Sequence, residues 1–150
     1  MHRMNEAAEP AVNSAPLSFF ERHVLSGGHI RVAEHRGRVV GFVQIMHAAE
    51  SYRSLNFQWF KARYSAFVYI DRVVVAPSMQ GRGVGYALYD DLRRRVGGDT
   101  PRIVCEVNIR PLNARSLRFH ARFGFQPVGT QDAEHGRKTV QLMCLACRPD

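Results

Sequence analysis

No apolar run in the 150 residues approaches the ~20 that a membrane-spanning helix needs, and the polar N-terminus lacks the apolar core of a secretion signal. The expectation is a cytoplasmic protein with no membrane partner. Cysteine is scarce. Cys105, Cys144 and Cys147 are odd in number, and the C-x-x-C pair lies in a predicted strand with no second pair or flanking histidine. A disulfide framework is therefore excluded, zinc does not follow, and buried thiols with no metal are expected. Internal repeats and low-complexity tracts are absent as well. So is any block of like charge: the formal net charge is +8, but the positive residues are spread from Arg3 to Arg148. A nucleic-acid-binding domain gathers its cations on one face, so this charge does not by itself select one. It suits a solvated basic surface that would also attract a polyanionic ligand.

What the chain does have is 45% hydrophobic and 23% charged residues, enough for one globular domain with a core that needs neither disulfides nor metal. Its organising stretch is 69–97, YIDRVVVAPSMQGRGVGYALYDDLRRRVG. Tyr69 to Val75 is β-branched, aromatic and too continuous for an amphipathic helix, and it stops at Ala76-Pro77, which predicts a buried strand. The glycines of 80–85 then allow a turn whose N–H groups converge at a helix N-terminus, a nest suited to phosphate oxygens. The helix follows from the apolar spacing of Val84, Ala87, Leu88, Leu92 and Val96, with Asp90 and Asp91 four residues before Arg94 and Arg95, and Gly97-Gly98 ends it. Two familiar phosphate motifs do not apply. No Lys-Ser or Lys-Thr follows the glycines, and Tyr86 stands where the dinucleotide fingerprint has its third glycine. Glycines that serve only tight packing remain the alternative.

Around this stretch, 1–15 reads as loosely ordered, with a short edge strand near 3–6, and 16–150 as the domain. A short helix at 17–25 has Ser18 as N-cap and Glu21 three residues on. The runs 29–35 and 38–47 form a hairpin through Arg36-Gly37. The segment 52–64 has poor periodicity and is read as a loop with a helical turn. Its aromatics and polar residues, Tyr52, Asn56, Phe57, Trp59 and Arg63, either cover the core or, with Tyr69, line a substrate pocket. A strand at 102–108, reached through a helix, must run parallel to 69–75. A second helix, 114–123, is opened by Asn113 and stopped by Gly124, and two strands at 125–130 and 138–147 complete the order. The resulting class is mixed α/β or α+β: a mostly antiparallel sheet with one parallel pair, flanked by helices.

The spelling Gln80-x-Arg82-Gly83-x-Gly85 after a hydrophobic strand, followed by Asn113-x-x-Ser116-x-x-Phe119-His120-x-x-x-Gly124-Phe125, resembles the GNAT superfamily of acetyl-CoA-dependent N-acetyltransferases, over roughly 29–147. The resemblance implies acetyl-CoA as cosubstrate. Its diphosphate would lie on Gln80, Gly81, Arg82, Gly83, Val84, Gly85 and Tyr86, and its pantetheine along Val73, Val74 and Val75. Asn108, Asn113, Ser116 and Phe119 would add contacts. The family usually opens with a longer first strand than this chain offers.

Acetyl transfer to an amine needs a neutral nitrogen and a proton for the departing thiolate. Asp71, a carboxylate in a hydrophobic strand, is the sharpest candidate base; Glu106 shares a face with Val104 and Asn108 and could converge on it. An ion pair of Asp71 with Arg72 or Arg102 is the alternative. Many relatives place tyrosine where this chain has His120. With an ordinary pKa of ~6.5, a histidine is protonated often enough to serve as the acid, unless it is a bystander while water or Tyr86 supplies the proton. The implied activity is direct transfer to a primary amine, either a small molecule or a peptide N-terminus. The rivals are a non-catalytic acyl-CoA-binding module and, further back, a nucleic-acid-binding domain. A homodimer is left open.

Overall fold

A computed structural model describes residues 1–9, 12–25, 29–96, 100–133 and 136–147. Among the described residues, six strands, β1 (Ile30–His35), β2 (Arg38–His47), β3 (Val68–Val75), β4 (Arg102–Arg110), β5 (Gln126–Ala133) and β6 (Lys138–Ala146), are hydrogen-bonded in the order β1-β2-β3-β4-β6-β5, and helices flank them. The chain forms two compact units, Met1–Ile45 with Asp71–Arg95, and Met46–Ile70 with Val96–Asp150.

The first unit opens with α1 (His2–Glu6), where a strand was expected. Helical bonds such as Asn5 N–H to the Met1 carbonyl replace a β ladder, and side chains fasten the segment to the residues that follow. Asn5 is fully buried and donates to the Asn13 carbonyl at 3.0 Å, while Glu6 accepts from the Ser14 hydroxyl at 2.7 Å and from the Ala15 N–H at 3.2 Å. The Ser14, Asn5 and Ala15 donors hold the Glu6 carboxyl down to about 2. A segment expected to be loose is thus tied down. The helix α2 (Leu17–Leu25) starts one residue before Ser18, which is therefore not its cap, and its predicted glycine stop lies outside the described residues. It buries Phe20 against Phe42, Ala15 and Val74.

The strands β1 (Ile30–His35) and β2 (Arg38–His47) form the predicted hairpin. Arg36 and Gly37 both have positive φ, 50° and 70°, the handedness that matches the twist of the flanking strands. Two bonds, Ala76 N to Val40 O and Ala48 N to Phe67 O, set β2 antiparallel to β3 (Val68–Val75). The helix α4 (Val84–Arg95) buries Leu88 and Leu92. It approaches β2 at Gly41, where a Cβ would stand 3.0 Å from Val84 Cγ1 and 3.1 Å from the Val74 carbonyl oxygen, so only glycine lets helix and strand meet this closely. The predicted pairs Asp90–Arg94 and Asp91–Arg95 are present at 2.9 and 3.0 Å, and Asp91 also binds Arg31 at 2.8 Å.

In the second unit the segment expected to be a loop contains α3 (Leu55–Lys61), capped by Ser54, whose Oγ accepts from the Phe57 N–H. Phe57 and Phe60 are fully buried at helical spacing, and the exposed Leu55 between polar neighbours hides that period in the sequence. β3 pairs in parallel with β4 (Arg102–Arg110) at Val68 with Ile103 and Tyr69 with Val104. The helix α5 (Ala114–Phe123) has the predicted bounds: Asn113 accepts from the Ser116 N–H at 3.1 Å, and Gly124 at φ 110° closes the C-terminus. Antiparallel to β4 lies β6 (Lys138–Ala146), with β5 (Gln126–Ala133) beyond it. Cys105, Cys144 and Cys147 are free thiols.

Candidate active site

In the first unit the end of β3 leads through a single 3-10 turn, Pro77–Met79, into the glycine turn. Gln80 ties the turn to the strand, its amide donating to the Val75 carbonyl at 3.1 Å. Gly81 and Gly83 take φ of 76° and 81°, a conformation that costs an L-residue about 1–2 kcal/mol, and a Cβ at either would meet nothing within 4 Å. The turn is therefore shaped by its backbone with open space around it. The N–H of Ala87 makes the helix's first bond, to Gly83 O at 2.9 Å, so the N–H groups of Val84, Gly85 and Tyr86 precede the intrahelical ladder. With no acidic residue in the first turn of a 12-residue helix, these donors and the positive end of the helix dipole fit a diphosphate. Of the strand valines, Val74 is buried in the core cluster while Val73 and Val75 are half-buried, which leaves the main chain as the group a ligand would meet.

Asp71 is committed elsewhere. Its Oδ2 accepts from Arg72 Nε at 2.7 Å, and both side chains are under a tenth exposed. Arg72 also donates to Asn5 Oδ1 at 2.9 Å and lies over the Phe19 ring. The ion-pair alternative is what the structure shows, and it weakens Asp71 as a base.

In the second unit, Glu106 on β4 takes a hydrogen bond from Tyr69 Oη at 2.9 Å across the parallel pair. Ser54 Oγ lies 3.4 Å from the same hydroxyl. Tyr69 is 1% exposed and Phe57 fully buried, packed against Phe67 and Tyr52, so these two expected substrate contacts are core residues. Trp59 is half-buried between the Arg63 guanidinium, 3.7 Å from its ring centroid, and Gly129, where a Cβ would stand 2.7 Å from the indole. Asn56 accepts from Gln131 at 3.0 Å, joining α3 to β5, and Tyr52 is half-buried. The Asn108 carbonyl accepts the Asn113 N–H at 2.9 Å where β4 leaves its regular register, while Ser116 and Phe119 lie half-buried on α5.

His120 departs most from expectation. It is 3% exposed, edge-on to Phe119 and Phe125, and its Nδ1 donates to the Ser116 carbonyl at 2.8 Å. Burial pulls its pKa below the ordinary 6.5, against the smaller opposing effect of that bond. Burial thus disfavours the protonated form that a donor role for His120 requires. Because the folded form resists protonation, the stabilisation is complete above pH 6.5 and is lost as the pH falls through the lowered value. The melting temperature is expected to drop on acidification below pH 6.5, and His120→Phe to flatten that part of the profile; an unchanged slope would refute the assignment.

Sequence reasoning missed Ser54, although a serine three residues before a phenylalanine that begins an apolar pattern was its signal. Among the described residues no group of three or more His, Cys, Asp or Glu is placed to hold a metal, and no helix is long and apolar enough to cross a membrane.

A mixed six-stranded sheet whose third strand leads through a glycine turn into a helix N-terminus defines an α/β domain. Residues 3–125 match the model of the acetyltransferase (GNAT) family, and the chain belongs to that family. Phosphinothricin N-acetyltransferase of Streptomyces coelicolor is 41% identical over 75 residues, which cover 44% of this chain and only 37% of that relative. Among solved structures, Arabidopsis thaliana NAA60 in complex with acetyl-CoA aligns at a TM-score of 0.75 with 20% identity, over 97% of this chain and 91% of that one. The ribosomal-protein-S18-alanine N-acetyltransferase of Escherichia coli aligns at 0.67 with 16% identity, over 99% and 86%. Likeness at these identities is likeness of fold.

Proposed function

We propose that the protein is an N-acetyltransferase that moves the acetyl group of acetyl-CoA directly to a primary amine. The observation that carries this is the nest at 81–86: two positive-φ glycines, open space and a row of N–H groups ahead of the helix ladder. Those amides hold the diphosphate, Gln80 fixes the turn to the strand, and the β3 main chain at Val73–Val75 orients the pantetheine. The coenzyme supplies an activated thioester. Glu106 takes the proton that the acceptor's ammonium loses; the neutral nitrogen attacks the carbonyl carbon, the C–S bond breaks, and the second proton, shed by the nitrogen as the amide forms, passes through water to the departing thiolate.

Direct transfer is favoured over an acyl-enzyme. Cys105 is buried, and burial together with the Glu106 charge pushes its thiol well above the ordinary range, so no thiolate is available as a nucleophile. The acceptor class rests on the relatives, one named for phosphinothricin and one for a protein's alanine N-terminus, both primary amines.

The test has two readings. Acetyl-CoA at ~100 times its Kd should stabilise the fold by about 2.7 kcal/mol and raise the melting temperature. Thiol release is then followed over a panel of phosphinothricin, small polyamines and peptides opening with alanine, serine or methionine. No thermal shift removes the coenzyme site, and a shift without release over the panel favours a binding module instead.

A further inference from the structure

The second unit holds a short polar chain of which the proposed chemistry uses only the last member, Glu106. Ser54 Oγ, Tyr69 Oη and Glu106 Oε1 follow one another at 3.4 and 2.9 Å, starting at the N-cap of α3 and ending on the carboxylate of β4. Tyr69 is held in this place by its ring, which packs at 5.5 Å from Phe57 and 6.2 Å from Phe60 in a site where it is 1% exposed. Ser54 is held by the helix it caps, since its oxygen accepts the Phe57 N–H. A hydroxyl fixed at both ends has little freedom to point anywhere but at Glu106.

We infer that Tyr69 is a positioning residue for Glu106, aiming the carboxylate through one hydrogen bond, and that Ser54 and the start of α3 set the direction of that bond. This rests on the reading of Glu106 as the base. A carboxylate has two oxygens and a rotatable terminal torsion, so a free one samples many directions, whereas proton transfer needs one. A donor on Oε1 fixes the plane of the group and leaves the other oxygen's direction determined. In a buried site such a bond to a charged acceptor is about twice as strong as a neutral one. The consequence reaches α3: the helix that carries Trp59 also carries, through its cap, the orientation of the base.

The experiment uses the full chain and three variants, Tyr69→Phe, Glu106→Gln and the double, with thiol release measured over the amine panel above. Tyr69→Phe keeps the packed ring and is expected to lower kcat roughly tenfold with KM for acetyl-CoA within twofold, an effect within the range of one positioned catalytic hydrogen bond. In Glu106→Gln the same change should cost less than twofold, because its effect passes through the carboxylate. A purely structural hydroxyl would cost the same in both backgrounds, and that result, or wild-type kcat in Tyr69→Phe, overturns the inference. Wild-type kcat in Glu106→Gln removes the base assignment itself, and the positioning role with it. A readout that needs no acceptor is the side-chain carboxyl carbon-13 resonance of Glu106 at fixed pH, assigned by its loss in Glu106→Gln. It should move in Tyr69→Phe and, to a smaller extent, in Ser54→Ala; an unmoved resonance would show that the hydroxyl does not govern the group.

Discussion

Gly83→Glu is expected to abolish the rise in melting temperature that acetyl-CoA produces, with at least a 100-fold loss of affinity, while leaving a folded protein. The substituted residue must hold φ near 81°, a strain of about 1–2 kcal/mol, but its Cβ would meet no atom within 4 Å, so bulk alone displaces nothing. The loss comes from charge. A carboxylate placed about 4 Å from a phosphate, at the effective dielectric of a protein surface, repels it by about 4 kcal/mol, near three decades in Kd. Strain is separated from charge by Gly37→Glu, which has φ of 70° and the same open surroundings in the β1–β2 turn. That variant should lose comparable stability and keep the full ligand shift. If Gly83→Glu also keeps it, the nest is not the diphosphate site.

Legibility in the sequence tracked how locally each feature is determined. The turn at 80–85, the helix α5 and the hairpin at Arg36-Gly37 were readable because glycine conformation, capping and apolar period are properties of neighbouring residues. The parallel direction of β4 was readable because a strand, a helix and a strand can close only one way. What failed was decided by distant partners. The segment at 3–6 became a helix because Asn5 meets Arg72, 67 positions away in the chain. Asp71 looked functional because a carboxylate in an apolar strand is costly, and the cost is met by its neighbour Arg72, whose inward placement depends on that same N-terminal segment. The sequence sets His120 where many relatives have tyrosine, and only the fold brings Phe125, which follows the helix, edge-on against the imidazole. The glycine turn is backbone geometry set by neighbouring residues, whereas the burial of His120 and the pairing of Asp71 with Arg72 depend on residues distant in the chain.

The carboxylates Asp71 and Glu106 give the sharpest contrast in expected behaviour. Glu106→Gln preserves shape and can still accept from the Tyr69 hydroxyl, so the fold and the acetyl-CoA thermal shift should be retained. With the base gone, kcat at neutral pH should fall about 100-fold or more, the range of a positioned general base. The deficit should shrink as the pH rises towards the acceptor's own pKa, because solvent then delivers the neutral amine the carboxylate no longer produces. Asp71→Asn should behave in the opposite way. It leaves the Arg72 guanidinium, 8% exposed, without its charged partner, and breaking a buried pair from one side costs about 3–5 kcal/mol. The melting temperature should fall by several degrees, while the enzyme that remains folded keeps kcat within a fewfold. Were Asp71→Asn to keep its stability and lose turnover with no recovery at high pH, while Glu106→Gln stayed active, the base would belong on β3 and the ion pair with Arg72 would be the device that keeps it ionised.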